Sequence, residues 1–190
     1  MLSESFTNRL KSLAGLNFVI SEGKNHKSEY GCLMLKINYE GWEDILKKID
    51  KKDLYTEEEG FGLERDPHVT ILFGFHANTD IEEVKHQIKK HCKTPIKIEL
   101  KNITMFENVE EKYDVLKFDI ISPKLHELNK LMKDNFDYTN NFLDYHPHCT
   151  IAYLKAGTGK KYTSKQDKKE FTVNKFYYST KDKEKTYFEI

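Results

Sequence analysis

The chain contains one five-residue pattern, P-H-x-T-I, twice, at residues 67 to 71 and 147 to 151. Alternate side chains of an extended strand point to the same face. His68 and Thr70 would therefore share one space, as would His148 and Thr150. An imidazole that titrates near neutral pH, next to a hydroxyl donor, suits acid–base chemistry on a phosphate.

The residues around each copy predict a strand with one packed face. In the first copy the predicted buried positions are Val69, Ile71 and Phe73, with Leu72 on the face of His68 and Thr70. In the second copy they are Cys149, Ile151 and Tyr153, with Ala152 on the face of His148 and Thr150. Each proline stands at a strand entrance, where a missing N–H is tolerated. The residues before each proline, 64 to 66 and 144 to 146, are typical of turns.

Two other interpretations of the histidines stay open. Each could simply stand half-exposed at the start of a strand. A metal site is the other possibility, since His146, His148 and Cys149 are close in sequence and His76 follows the first copy. However, no C-x-x-C or carboxylate-rich pattern accompanies them, and adjacent strand positions face opposite ways. We therefore expect no metal.

The composition limits the kind of ligand. The 190 residues suffice for one compact domain or for two small lobes sharing a groove. Lys plus Arg (31) equals Asp plus Glu (31), which argues against binding duplex nucleic acid and favours a small ligand with few phosphates. The 3 cysteines are not spaced as a disulfide framework, and no long apolar run occurs. We expect a cytoplasmic monomer without membrane contact.

Hydrophobic periodicity predicts alternating helices and strands. Helices are expected over 3–14, 42–49, from an N-cap at Thr79 to about 91, and from Ser122 to about 133. Besides the two motif strands, strands are expected over 30–37, 95–105, 113–121, 171–179 and 185–190. This order predicts an α+β chain of two similar units laid in sequence, forming one bilobal domain over 1–190. The lysine-rich residues 155–170 are expected to form a mobile surface loop.

Paired H-x-T motifs in such a chain resemble the 2H phosphoesterase superfamily, and the resemblance covers nearly the whole sequence. The flanking residues, G-L-E-R-D-P-H-V-T-I-L-F-G at 62–74 and Y-H-P-H-C-T-I-A-Y-L at 145–154, are most similar to phage-encoded members. Those members include anti-CBASS nucleases, which destroy cyclic oligonucleotide signals. The resemblance implies a bilobal α+β fold with two pseudo-symmetric antiparallel sheets and flanking helices around a central groove.

The resemblance also implies roles for individual residues. The catalytic positions would be His68, Thr70, His148 and Thr150, with the hydroxyls binding phosphate and with no metal or other cofactor. Tyr30 and Phe106 are the candidates for stacking on bases. This chain has no tryptophan near its C terminus. Any ligand contact that the phage-encoded members make through such a residue would therefore fall to a residue such as Tyr177 or Tyr178.

The chemistry then predicts general acid–base catalysis, with one histidine accepting a proton and the other giving one. The first expected function is a metal-independent phosphodiesterase that opens cyclic di- or trinucleotides, a phage counter-defence acting in the bacterial cytoplasm. The second is an RNA-end, 2′,3′-cyclic nucleotide or 2′,5′-linkage phosphodiesterase of the same superfamily. The third is a nucleotide sponge that binds without cleaving.

Overall fold

The computed structural model describes residues 30–57, 60–106, 112–140 and 144–190. Within these residues the strands are β1 (Gly31–Lys36), β2 (His68–Phe75), β3 (Ile96–Phe106), β4 (Tyr113–Ile121), β5 (His148–Lys155), β6 (Lys169–Val173), β7 (Lys175–Ser179) and β8 (Lys185–Glu189). The helices are α1 (Trp42–Leu46), α2 (Ile81–His91) and α3 (Pro123–Asn135), and short 3₁₀ turns span Lys51–Asp53 and Gly159–Tyr162. The helix expected over 3–14 lies outside the described residues.

The strands form two antiparallel sheets of four, which confirms the predicted α+β class. The first sheet has the order β2-β1-β7-β8, and the second sheet has the order β5-β4-β3-β6. Each motif strand therefore lies at one edge of its own sheet. β2 and β5 approach each other, with pairs of Cα atoms within 8 Å. The two H-x-T motifs are brought together by this meeting of edges.

The chain does not build the sheets one after the other, as the sequence order suggested. β7 and β8 return to the first sheet, whereas β6 belongs to the second sheet. The single strand predicted over 171–179 is thus two strands, and the chain crosses between the sheets at Asn174. Val173 and Phe176 are buried in different sheets, at 6% and 0% exposure. No glycine or proline marks the crossing, so apolar periodicity alone could not reveal it.

The lysine-rich residues 155–170, predicted to form a loop, contain structure of their own. The backbone N–H of Gly159 donates to the buried carboxylate of Asp114 at 2.8 Å. Tyr162 and Lys161 contact the carboxylate of Asp53, which is 5% exposed. The last residues of the stretch begin β6 at Lys169.

Two helix ends differ from the predictions. Asp80, not Thr79, caps α2, because its carboxylate accepts hydrogen bonds from the N–H groups of Glu82 (2.9 Å) and Glu83 (3.3 Å). The helix predicted over 42–49 ends at Leu46. Ile49 is nevertheless buried, at 7% exposure, because the following turn still packs it on the core.

The helix α3 covers the back of the first motif strand. α3 packs against β2 and contributes side chains that are at most 1% exposed: Leu125, Leu128 and Met132. Together with Val69 and Ile71 of β2 they belong to one hydrophobic cluster. The H-x-T side chains lie on the opposite face of each sheet, which we call the motif face. No helix in the described part of the chain is long and apolar enough to cross a membrane.

Candidate active site

A β-bulge follows the first H-x-T motif. Thr70 and Leu72 pair with consecutive residues of β1, so Ile71 is the extra residue. The bulge exchanges the faces of the residues beyond it. Leu72 joins the buried back, at 2% exposure, and Phe73 joins the motif face. The predicted positions of Leu72 and Phe73 were therefore wrong, because strict alternation holds only until the bulge.

An equivalent bulge follows the second motif. Thr150 and Ala152 pair with consecutive residues of β4, and Ile151 is the extra residue. Ala152 consequently turns to the back, at 0% exposure, and Tyr153 to the motif face, again the reverse of the prediction. The two P-H-x-T-I copies thus share their strand entrance and also a bulge at the isoleucine.

The carbonyl groups of the two bulge residues are bound from outside their own sheets. The carbonyl of Ile71 accepts a hydrogen bond from Nδ2 of Asn129 on α3 at 2.7 Å, and Asn129 is buried. The carbonyl of Ile151 accepts one from the N–H of Glu64 at 2.9 Å. A bulge takes a peptide out of the regular ladder, so these partners satisfy groups that would otherwise be costly to bury.

Both histidines are held in the same way. Nδ1 of His68 lies 2.8 Å from the carbonyl oxygen of Asp66, and Nδ1 of His148 lies 2.8 Å from that of His146. A carbonyl oxygen can only accept, so Nδ1 carries the hydrogen in each ring. The neutral form of each imidazole therefore has its basic lone pair on Nε2. Both rings are prepared for proton transfer through the same atom.

The surroundings of His68 are aromatic and cationic. The ring of Tyr177 lies edge-on at 6.0 Å between centroids, and Lys36 is the cross-strand neighbour on β1. The Asp66 carboxylate binds the ammonium groups of Lys36 and, at 2.8 Å, of Lys185. Partial burial acts to raise the pKa of Asp66, but its bonds to Lys185 and Lys36 outweigh burial and hold the pKa below its usual value. Burial raises the pKa of Tyr177 well above its usual value.

The residue across from His148 is acidic, whereas the residue across from His68 is the basic Lys36. Asp119 on β4 stands across from His148, and the ring of Phe106 lies edge-on at 5.1 Å. The ammonium of Lys117 is ion-paired with Asp119, donates to Thr104 at 2.8 Å and lies 4.3 Å from the centre of the Phe106 ring. The Lys117 side chain is only 8% exposed, so Phe106 and its neighbours largely cover it.

The structure brings together some predicted site residues and separates others. The ring of Phe106 contacts the ring of His148, so this candidate for base stacking lies beside the second motif. Tyr30 instead lies beyond the bulge, with ring centroids 6.3 Å from Phe73 and 5.9 Å from His76. Tyr177 contacts His68, whereas Tyr178 pairs with Leu33 and is buried on the back of the first sheet.

Several residues beside the histidines were missed by the sequence reasoning: Lys36, Asp66, Lys117, Asp119 and Lys185. The contacts of Lys36, Asp119 and Lys185 depend on which residues face each other across strands, and no spacing along the chain encodes that register. Asp66 is only two residues from His68, but the sequence predicted it only as part of a turn. Within the described ranges no group of three or more His, Cys, Asp or Glu residues could hold a metal ion. The absence of a metal from the reaction stays a prediction.

Fold and site together define a two-lobed α+β protein with an H-x-T strand in each lobe. The family model described as the 2′-5′ RNA ligase superfamily matches residues 44–183, and the chain belongs to this superfamily. Membership supports a role as a phosphodiesterase or in processing RNA ends, the class of reaction that the sequence resemblance implies. No curated protein matches the chain in sequence.

Solved structures share the fold at low sequence identity. Usb1 of Kluyveromyces marxianus is 10% identical, with a TM-score of 0.57 over 86% of this chain and 99% of that chain. The structure of the same protein with uridine monophosphate gives 0.56, at 10% identity and the same coverage. A Thermus thermophilus protein is 14% identical, with a TM-score of 0.56 over 85% of this chain and 94% of that chain. Likeness at this identity shows the fold alone.

Proposed function

We propose that the protein is a metal-independent phosphodiesterase in which His68 and His148 transfer protons and Thr70 and Thr150 bind the phosphate. The observation that carries the proposal is the repeated histidine geometry. Each ring donates from Nδ1 to the carbonyl two residues earlier, at 2.8 Å, which leaves the lone pair of both neutral rings on Nε2. A structural histidine at a strand entrance would not need the same tautomer in both lobes.

The two imidazoles enter the reaction in opposite protonation states. The neutral ring accepts the proton of the attacking hydroxyl through Nε2, and the protonated ring donates its Nε2 proton to the leaving oxygen. The bond between phosphorus and the leaving oxygen breaks as the bond to the attacking oxygen forms. The threonine hydroxyls donate hydrogen bonds to the non-bridging oxygens, where negative charge grows in the transition state. Their loss should lower kcat more than it raises KM.

The attacking group depends on the substrate. In an RNA-type linkage the neighbouring ribose hydroxyl attacks, and the product is a 2′,3′-cyclic phosphate. In a 2′,3′-cyclic phosphate the attacking group is water. When a ribose 5′-hydroxyl takes the place of water, the same steps run as a ligation, because proton donor and acceptor exchange roles in the reverse direction. One pair of histidines thus accounts for both cleavage and the ligation named in the family description.

Cyclic di- or trinucleotides are the first substrate class that we propose, with phage counter-defence against CBASS as the setting. Support comes from the aromatic ring beside each histidine, Tyr177 at 6.0 Å from His68 and Phe106 at 5.1 Å from His148. Phe106 is partly exposed and can stack on a base, whereas Tyr177 is 1% exposed and packs beneath the site. Phe106 would stack on the base nearer His148, and Tyr30 would take a base farther along β2, next to Phe73.

An RNA end, a 2′,3′-cyclic nucleotide or a 2′,5′-linkage is the second substrate class. The superfamily that the chain belongs to favours it. So does the uridine monophosphate named for one Usb1 structure, a small nucleotide bound by a protein of the same fold. A sponge that binds nucleotides without cleaving them is the third alternative. Its function would not require two proton-transfer groups in matched geometry.

A chromatographic assay separates the three alternatives. The protein is incubated with a chelator and a panel of cyclic dinucleotides, cyclic trinucleotides, 2′,3′-cyclic nucleotides and 2′,5′-oligoadenylate. Ring opening identifies the first class, and cleavage confined to the linear or mononucleotide substrates identifies the second. Tight binding of substrates that remain intact identifies a sponge and contradicts the proposed enzyme. Turnover that the chelator abolishes contradicts the metal-free mechanism.

A further inference from the structure

Three charged side chains meet beside His68 on the motif face. Lys36 stands directly across from His68 on β1, Lys185 comes from β8, and Asp66 ends the loop before the motif. Both lysines bind the one carboxylate of Asp66, Lys36 through Oδ1 and Lys185 through Oδ2 at 2.8 Å. We call Lys36 and Lys185 the lysine pair. Their ammonium groups converge on a single point although they come from different strands.

The lysine pair has more charge and more donors than Asp66 can use. Two ammonium groups share the Asp66 carboxylate, and the other carboxylate nearby, that of Glu64, accepts from the N–H of Asp66 at 2.7 Å. Each ammonium carries three N–H donors. In the described part of the chain each makes one hydrogen bond, to Asp66. The side chains of Lys36 and Lys185 are 28% and 39% exposed, so an anion from solvent can reach the remaining donors.

A buried aromatic ring lies beneath the lysine pair. The ring of Tyr177 is 1% exposed, and the ammonium of Lys185 lies 4.9 Å from its centroid. The same ring contacts His68 edge-on. Lys185 is therefore held over a buried aromatic ring that also touches the imidazole, which places its charge close to the reacting phosphate.

Among the described residues, the strand position across from His148 offers no equivalent cation to a ligand. The position that corresponds to Lys36, across from the histidine, is occupied there by Asp119. Because Asp119 is ion-paired with Lys117, this position presents no net positive charge to a phosphate. The nearby Lys117 is 8% exposed and lies under the Phe106 ring. Of these two cross-strand positions in the described part of the chain, the one at His68 therefore combines positive charge with access.

We propose that Lys36 and Lys185 form a second phosphate subsite, next to the site of the reacting phosphate. The proposal rests on the proposed function and specifies its ligand: a nucleotide with at least two phosphates. One phosphate lies between the histidines, and the other displaces Asp66 from part of the lysine pair. Lys36 and His68 are cross-strand neighbours with Cα atoms about 5 Å apart, so a 3′- and a 5′-phosphate of one nucleoside can occupy both places. Cyclic and linear oligonucleotides also meet this requirement.

Equilibrium binding tests the subsite without relying on turnover. The dissociation constants of adenosine 3′-monophosphate and adenosine 3′,5′-bisphosphate are measured by calorimetry in the presence of a chelator. Wild-type protein should bind the bisphosphate about five- to tenfold more tightly than the monophosphate. The preference should shrink as the salt concentration rises, because the lysine pair is partly exposed. Equal affinity for the two ligands would overturn the proposal.

Charge-removing variants locate the preference. Lys36→Gln and Lys185→Gln should each weaken binding of the bisphosphate more than binding of the monophosphate, and so reduce the preference for the bisphosphate. Lys185→Gln keeps Asp66 paired with Lys36, so it tests the subsite with the loop still anchored. Lys181→Gln is the matched control, because this exposed lysine lies in the turn between β7 and β8 and pairs with Asp182. A preference that survives removal of both lysines, or is lost equally in the control, would overturn the proposal.

A parallel activity measurement separates the subsite from the proposed function. If the wild type prefers the bisphosphate but cleaves no nucleotide in the panel, the subsite stands and the phosphodiesterase proposal fails. If it cleaves 2′,3′-cyclic mononucleotides but shows no preference for the bisphosphate, the enzyme stands and the subsite fails. KM values of wild type and Lys185→Gln then show which kind of substrate supplies the second phosphate. The substrates compared are adenosine 2′,3′-cyclic phosphate with a 5′-phosphate, a cyclic dinucleotide and a linear dinucleotide. Only substrates that use the lysine pair should show a raised KM in Lys185→Gln.

Discussion

The hydroxyl group of Tyr145 donates a hydrogen bond to the carbonyl oxygen of Thr70 at 2.9 Å, joining the loop before the second motif to the strand of the first. The reciprocal bond also exists: the N–H of Glu64, in the loop before the first motif, donates to the carbonyl of Ile151 at 2.9 Å. Each H-x-T strand is thus bound by the loop that precedes the other. This pair of bonds links β2 to β5 across the two sheets and helps to hold one histidine in place relative to the other.

Tyr145→Phe should destabilise the protein by about 1 to 3 kcal/mol, because it leaves the Thr70 carbonyl without this donor in a partly buried place. Burial raises the pKa of the Tyr145 phenol far above its usual value, so the donor hydrogen is present at all ordinary pH values. Denaturant unfolding measures the loss. Tyr187→Phe is the control, since its side chain is 45% exposed and should tolerate the change. Equal stability of the two variants would show that the bond contributes nothing.

Asn129→Ala should lower the free energy of unfolding by about 1 to 3 kcal/mol, since it leaves the Ile71 carbonyl at the bulge unsatisfied. The matched control on the same helix is Asn135→Ala. Its Nδ2 group bonds the carbonyl of Leu131 within the helix, at an exposed position. Chemical denaturation of both variants gives the comparison. A loss no larger than that of the control contradicts the role assigned to Asn129.

Gly74→Ala should be more destabilising than Gly157→Ala. Both glycines have positive φ, +107° and +80°, and this conformation costs an alanine about 1 to 2 kcal/mol at either site. At Gly74 the added Cβ would also lie 2.2 Å from the carbonyl oxygen of Thr139, whereas nothing lies within 4 Å at Gly157. The difference in unfolding free energy between the variants therefore isolates the contact between β2 and the segment after α3. No difference would mean that this segment moves aside freely.

Acid should destabilise the protein partly through Asp66. Its pKa in the folded state lies below the usual value, so its pairing stabilises the fold fully above the pKa of an unfolded aspartate, about 3.9. This contribution is lost as the pH falls through the lower, folded value. As the pH falls below about 4, the unfolding free energy of the wild type should fall more steeply than that of Asp66→Asn. Asp137→Asn, at an exposed position, should retain the wild-type slope; if Asp66→Asn retained it too, the pairing would be without effect on stability.

The motif strands and their common face could be predicted from alternation alone, but only as far as the bulges. Beyond Ile71 and Ile151 the alternation reverses, so Phe73 and Tyr153 turn to the motif face against expectation. An extra residue in one strand is defined by its partner strand, and the partner cannot be deduced from local periodicity. The crossing between sheets at Asn174 escaped prediction for the same reason, because both of its flanking strands have buried apolar residues.

The candidate site divides in the same way. The sequence pointed to four of its residues because each belongs to one copy of the repeated five-residue pattern: His68, Thr70, His148 and Thr150. The charged residues beside them could not be recognised in this way, since Lys36 and Asp119 reach the histidines only by cross-strand pairing and Lys185 only through the returning C-terminal hairpin. Local spacing therefore led to the proposed chemistry, which stays a prediction, whereas long-range register decides the electrostatic difference between the two sides.

The central claim is that both histidines transfer protons, and turnover by single variants tests it most directly. His68→Ala and His148→Ala are compared with wild type on 2′,3′-cyclic adenosine monophosphate and a cyclic dinucleotide, with chelator present and folding checked by thermal unfolding. His86→Ala, on the exposed face of α2, is the control. Each motif variant should fold and lose about a hundred- to ten-thousandfold in kcat, with the control unchanged. Near-wild-type turnover by either motif variant would contradict the two-histidine mechanism.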